Sequence, residues 1–96
     1  KLVGEAYLEG VKAMNDIINA HNFSSDNYDA LKNDSLCGCF YCISIFNPEE
    51  IEGWIISPDG RKTAVCPHCG IDSVIGQSSG YPITEDFLNE MKSYWF

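Results

Sequence analysis

A length of 96 residues fits one domain, and a composition 45% hydrophobic and 12% aromatic argues against disorder. Six basic residues stand against 14 acidic ones, a formal charge of -8, so electrostatic capture of DNA or RNA would require folding to gather these few scattered cations. No apolar run approaches the roughly 18 residues of a membrane span. The chain begins at Lys1, with neither Met nor a basic, apolar leader, which fits a processed or trimmed start.

The first expected element is a helix over residues 3–19. Val3, Tyr7, Val11, Met14 and Ile18 recur at spacings of three and four, and Ala6 and Ile17 widen the stripe. Gly10 lowers helix propensity by up to about 1 kcal/mol relative to Ala without cancelling the pattern. Residues 20–36 are polar, and Asn22, Ser24, Ser25, Asp26 and Asn27 break the period. A short helix over 26–33 is expected there, with Tyr28 and Leu31 pointing inward. Residues 1–36 are thus read as a helical N-terminal region.

A second helix start lies at 47–54. Asn47 is placed to cap, Pro48 stands at the first helical position and Glu50 at the third. Phe46 and Ile51 have the spacing of a hydrophobic staple, and Gly53 keeps the helix short. The period then changes. Ile55-Ile56-Ser57 and Thr63-Ala64-Val65 read as two strands around a Pro58-Asp59-Gly60 turn, a hairpin that delivers the chain to Cys66. Gly76, Gly80 and Pro82 mark a loop before a last helix over 85–94. Thr84 is its expected cap, Glu85 and Asp86 lie in its first turn, and Phe87, Leu88, Met91, Tyr94 and Trp95 give a broad apolar side.

The sharpest signal is Cys39-Phe-Tyr-Cys42 followed by Cys66-Pro-His-Cys69-Gly70. Two close CxxC pairs separated by a loop are the usual arrangement for tetrahedral structural zinc. Two intervening residues let a tight turn aim both sulfurs at one ion while its backbone N–H groups face the thiolates. Gly70 stands where a positive φ costs least. Four Cys ligands fill the shell and leave no place for an activated water, so the expected cofactor is one structural Zn2+ per chain held by Cys39, Cys42, Cys66 and Cys69. With four thiolates and Zn2+ the total charge becomes about -10. A tetrahedral iron centre and a dithiol or disulfide redox role are the alternatives. Two disulfides sit poorly with the compact pairs and with a total of five cysteines.

Five further residues bear on this pattern. Cys37, two positions before Cys39, reads as a partly buried thiol, with replacement of Cys39 as ligand and redox sensing as weaker readings. His68 reads as an exposed neighbour of the site rather than a fifth ligand. His21 reads as a cap or surface residue, although with Asp72 and Ser73 it would make a hydrolytic cluster if folding joined them. Asp72 and Ser73 are otherwise expected to arrange their own loop through side-chain-to-backbone bonds.

The run Cys37-Gly-Cys-Phe-Tyr-Cys42, the Pro48–Trp54 segment, Cys66-Pro-His-Cys-Gly-Ile-Asp-Ser-Val-Ile-Gly76 and Ser79-Gly-Tyr-Pro-Ile-Thr84 with the Phe87–Phe96 tail resemble a group of small, uncharacterised bacterial and phage-associated cytoplasmic proteins with paired CxxC zinc knuckles. The resemblance covers residues 37–96 and implies a bacterial cytoplasmic zinc-knuckle protein without implying a reaction. The site also looks loosely like the zinc-supported core of treble-clef and HNH-type proteins. The HNH pattern fails at its catalytic position, because no His stands between Cys42 and Cys66.

The expected architecture is a small α+β zinc-knuckle, zinc-ribbon or treble-clef-like domain over 1–96. Its knuckles and hairpin occupy 37–76, its C-terminal helix lies in 77–96, and helices flank both ends. Acidity, a closed metal site and no complete catalytic set point to protein interaction or regulation, more plausibly than to an enzyme. Tyr28, Trp54, Tyr81 and Trp95 are candidate contacts for a basic protein partner. The alternatives are a zinc-supported nucleic-acid module using the Arg61–Lys62 tip and an HNH-like hydrolase using His21 and Asp72.

Overall fold

The structure is a computed structural model that describes residues 14–96. It is α+β, with two small antiparallel sheets and short helices around them. The expected helix over 3–19 is seen as α1 over 14–20; its portion at 3–13 lies outside the described residues. Of the stripe expected there, Ile17 is buried, whereas Met14 and Ile18 are exposed. Ile17 and Ala20 are instead the two α1 residues that enter the core. A 3-10 turn, His21–Ser24, follows.

Helix α2 is the four-residue Tyr28–Leu31. Leu31 points inward as expected, but Tyr28 does not. Its ring stands edge-on to Trp54, with centroids 4.9 Å apart, and the Lys62 ammonium lies 4.7 Å from its centroid. A tyrosine, apolar over its ring and polar at its tip, suits such a half-covered position.

The first sheet contains β1 (Cys37–Cys39), β2 (Ile45–Phe46) and β5 (Val74–Gly76), in the order β2-β1-β5. Cys39 pairs with Val74, Gly38 with Ile75 and Cys37 with Gly76. Side chains alternate across a strand, so this register sends Cys37, Cys39 and Val74 to one side and Ile75 to the other. The two sides feed two cores. One holds Cys37, Cys39, Phe46, Ile51, Ala64, Cys66 and Val74 with Leu31. The other holds Ile75 and Phe40 against Ile17, Ala20, Phe87, Leu88 and Met91.

The expected helix over 47–54 is corrected to a three-residue 3-10 turn, Pro48–Glu50. Its start is as read: Asn47 Oδ1 accepts from Glu49 N, and Glu50 closes the capping box. The helix does not propagate because Gly53 and the β-branched Ile55 and Ile56 enter β3 (Gly53–Ile56), which pairs with β4 (Lys62–Val65). A ladder of four residue pairs outweighs the marginal propensity of so short a helix. The turn between the strands uses Gly60 at φ 90°.

Helix α3 runs Glu85–Trp95, close to the expected 85–94. Thr84 caps it by accepting a hydrogen bond from Phe87 N. Phe87, Leu88 and Met91 form its buried face, each such burial being worth roughly 1.5–3 kcal/mol. Trp95 Nε1 donates to Ile17 O at 3.2 Å and ties α3 to α1. Among the described residues no helix is long and apolar enough to cross a membrane.

Candidate metal centre

The two CxxC turns are built alike. In the first, Tyr41 N donates to Cys39 Sγ at 3.4 Å, Ile43 N to Cys39 O at 2.9 Å, and Cys39 N to Ser44 O at 2.9 Å. In the second, His68 N donates to Cys66 Sγ at 3.4 Å, Gly70 N to Cys66 O at 2.9 Å, and Cys66 N to Ile71 O at 2.9 Å. Each turn thus folds back on its first cysteine and points an amide at that sulfur. The fifth position of each turn has a positive φ, 81° at Gly70 and 65° at Ile43. Gly70 meets this without penalty, whereas the β-branched Ile43 stores strain of order 1–3 kcal/mol. Its side chain is held against the core of Phe40 and Leu88.

Different elements bring the turns together. The first leaves the end of β1 and returns as β2; the second follows β4. The sulfur-donor atoms of Cys39, Cys42, Cys66 and Cys69 then lie within 4.8 Å of one another. These are the four residues the spacing selects, and together they could hold a metal ion. Cys39 and Cys66 are buried; Cys42 and Cys69 are half-buried. Cys39 Sγ lies 3.6 Å from Cys69 Sγ, and Cys42 Sγ 3.7 Å from Cys66 Sγ. Those separations exceed the roughly 2.05 Å of a disulfide, and all five cysteines are free.

Two serines complete the sulfur environment. Ser73 Oγ is 3.0 Å from Cys39 Sγ, and Ser44 Oγ is 2.9 Å from Cys42 Sγ. The expectation that Ser73 arranges its own loop is therefore corrected. Phe40 N bonds to Ser73 O, so the β1–β5 pairing carries the serine to the sulfur of the first turn rather than the second. Neither serine stands out in the linear sequence as a partner of cysteine.

The thiols differ in acidity. Burial opposes ionisation of Cys42, but hydrogen bonds from the Ser44 side chain and backbone outweigh it and bring the thiol down to about 7. Burial raises Cys66 and Cys69. Cys37 is fully buried outside the four-sulfur group, and its thiol donates to Phe46 O at 3.4 Å. Burial pushes it up to about 12, with the charges of Cys66, Asp34 and Glu50 adding to the effect. Cys37 thus occupies the place of an inert core thiol.

His68 Nε2 is 3.3 Å from Glu50 Oε1, and its ring packs on Phe46. His21 and Asp72 line one cavity of about 260 Å³ with Ser73 and Trp95. The His21 ring packs against Trp95 at a tilt of 35°, centroids 4.0 Å apart, and among the described residues no hydrogen bond joins it to Asp72. At the hairpin tip, Arg61 is paired with Asp59 at 2.8 Å, and Lys62, like Lys32, lies over the Tyr28 ring. Comparison with protein-family models, curated proteins and solved structures gives no match.

Proposed function

We propose that the chain is a structural zinc module whose work is protein interaction or regulation. The gathering of four sulfurs on two equivalent turns carries this reading. Their 3.6 and 3.7 Å contacts lie near the edge of a tetrahedron with Zn–S bonds of about 2.3 Å, which is roughly 3.8 Å. Thiolates select zinc over magnesium or calcium, and a filled shell leaves no position for substrate or activated water. Cys39, Cys42, Cys66 and Cys69 would hold the ion. Zinc would then cross-link the ends of β1 and β4 and supply part of the folding free energy. Five free thiols suit a reducing compartment such as the cytoplasm.

The interaction role is supported by charge. A formal -8 on 96 residues favours a basic partner and opposes a nucleic-acid backbone. The Arg61–Lys62 tip adds little, since both cations are engaged within the fold.

Native mass spectrometry with elemental analysis tests the metal reading. One zinc per chain with all five thiols reduced is the expected result, and chelation should loosen the fold. Metal-free protein with unchanged unfolding after chelation would overturn it.

A further inference from the structure

The two long edges of the β3–β4 hairpin are treated differently. Ser57 N bonds to Arg61 O at 2.8 Å, and antiparallel pairs alternate between bonded and non-bonded. The backbone groups of Gly53 and Ile55 therefore face β4, and those of Trp54 and Ile56 face away from it. On β4 the outward groups are those of Lys62 and Ala64. Asn27 takes both: its N–H donates to Lys62 O at 3.0 Å, and its Oδ1 accepts from Ala64 N at 2.9 Å. That edge is closed by the backbone amide and side chain of one residue, which stand in for a strand. Along β3, no group among the described residues bonds to the outward N–H and C=O of Trp54 and Ile56.

This edge is also apolar. Ile55 is 48% exposed and Ile56 65%, on opposite faces of the ribbon. Beside Trp54 a cleft of about 260 Å³ opens, with Leu31, Pro48 and Ile51 in its walls and Lys32, Asp34 and Glu49 at its polar side. From 49 to 60 the charged residues are Glu49, Glu50, Glu52 and Asp59, all acidic and all exposed. Glu49 and Glu52 have no salt-bridge partner among the described residues. An exposed strand edge is a template for another strand, and proteins commonly blunt it with lysine or proline. Here neither occurs within β3, and acidic Glu49 and Glu52 flank its start, although Lys62 pairs with Ile56 across the ladder.

We infer that the β3 edge receives an extended, basic segment of a partner protein as an added strand. The segment bonds to the backbone of Trp54 and Ile56, as in other strand-addition complexes. Its alternate side chains lie along Ile56 and the cleft beside Trp54 on one face and along Ile55 on the other. Its lysines or arginines meet Glu49 and Glu52, Asp59 being already paired with Arg61. Net charge of -8 sets a second copy of this chain against the same edge at a disadvantage. This inference rests on the proposed interaction role and names its partner chemistry.

The probe is an octapeptide of alternating Lys and Val, with alternating Glu and Val as its counterpart, added to the isotope-labelled full chain. Amide exchange at Trp54 and Ile56 should slow by about tenfold or more on binding, while Gly53 and Ile55, already paired, stay as they were. Ile56→Pro removes an outward donor without touching the ladder and should weaken binding by about tenfold. Ile56→Lys, which keeps the backbone, should weaken it through repulsion and provides the same test if the proline variant misfolds. No binding at millimolar peptide, equal binding of the Glu–Val peptide, or protection confined to other residues would each overturn the assignment. Salt-sensitive binding elsewhere would leave the acidic-surface reading standing. Concentration-dependent protection of Trp54 and Ile56 without peptide would give the edge to a second copy and also overturn it. Zinc content is read separately, so failure of the metal reading is not confused with failure of this one.

Discussion

Asn27 and Ala64 are joined by a buried 2.9 Å hydrogen bond from the Ala64 amide to Asn27 Oδ1. The same side chain donates through Nδ2 to Val74 O at 2.9 Å and to Phe23 O at 3.1 Å. One amide thus connects β4 of the hairpin to β5 of the other sheet. Only a group with an acceptor and two donors on one planar head can do this.

Asn27→Ala should therefore be strongly destabilising. It leaves the Ala64 amide and the Val74 carbonyl buried without these partners, and each unsatisfied group costs about 1–3 kcal/mol. A loss of about 3 kcal/mol is expected in urea unfolding. Asn27→Asp should be no better, because a carboxylate oxygen would face the Val74 carbonyl. A change below about 1 kcal/mol in both variants would mean that the two sheets are held together without Asn27.

Gly38 and Gly70 should respond to alanine for different reasons. A Cβ at Gly38 would meet Leu88 Cδ1 at 2.7 Å and Ile83 Cγ2 at 3.2 Å. Leu88 is fully buried and has nowhere to retreat, so Gly38→Ala should cost about 1–3 kcal/mol through overpacking. At Gly70 the space is open, with nothing within 4 Å, and only its φ of 81° opposes a side chain. Gly70→Ala should cost about 1–2 kcal/mol by that route. Fitted to urea curves, Gly38→Ala should also perturb the α3 amide resonances, whereas Gly70→Ala should perturb only the second knuckle. A reversed pattern would sink this division.

The cysteine pairs, the Asn47 and Thr84 caps and the hairpin were legible because each is a local pattern with a local cause. The β2-β1-β5 sheet was not. Its strands are two or three residues long, and β1 is Cys-Gly-Cys, whose residues carry a metal-site signal instead of a β-branched one. The 47–54 reading failed for a related reason: the cap determines where a turn starts, while the partner strand at 62–65 decides how soon it stops. Asn27 read as a loop breaker, since the two side-chain partners that matter, Ala64 and Val74, lie 37 and 47 residues away.

Cys37 predicts an alkaline limit to stability. Its folded thiol is pushed up to about 12 from an ordinary 9.0, so the folded state holds the proton more tightly than the unfolded chain. The contribution is fully present below pH 9 and is lost as the pH rises toward 12. Cys37→Ala removes this titration and leaves a pH-independent packing loss. The stability gap between the native chain and Cys37→Ala should therefore narrow by about 1.4 kcal/mol per pH unit between roughly pH 9 and 11. Urea unfolding at three alkaline pH values measures it. A constant gap would show that the thiol does not carry the proton linkage.

Ser73 gives the most direct test of the sulfur environment. Its hydroxyl is buried and lies 3.0 Å from Cys39 Sγ. A metal-bound thiolate has no proton to give, so in the zinc-bound state of the proposed site the serine must donate and the sulfur accept. That bond spreads the thiolate charge and fixes the χ angle of Cys39. Ser73→Ala removes the donor with little change in volume, and partners of this kind are worth about 10–100-fold in metal affinity. A weakening of about tenfold is expected in competition with a chromophoric chelator. Ser44→Ala removes the 2.9 Å contact to Cys42 and should act similarly. The two serines touch different sulfurs of one cluster, so a double variant that loses no more than either single one would show them coupled through the metal rather than acting sulfur by sulfur. Affinity unchanged in both single variants would mean that the backbone amides of Tyr41 and His68 suffice to hold the thiolates.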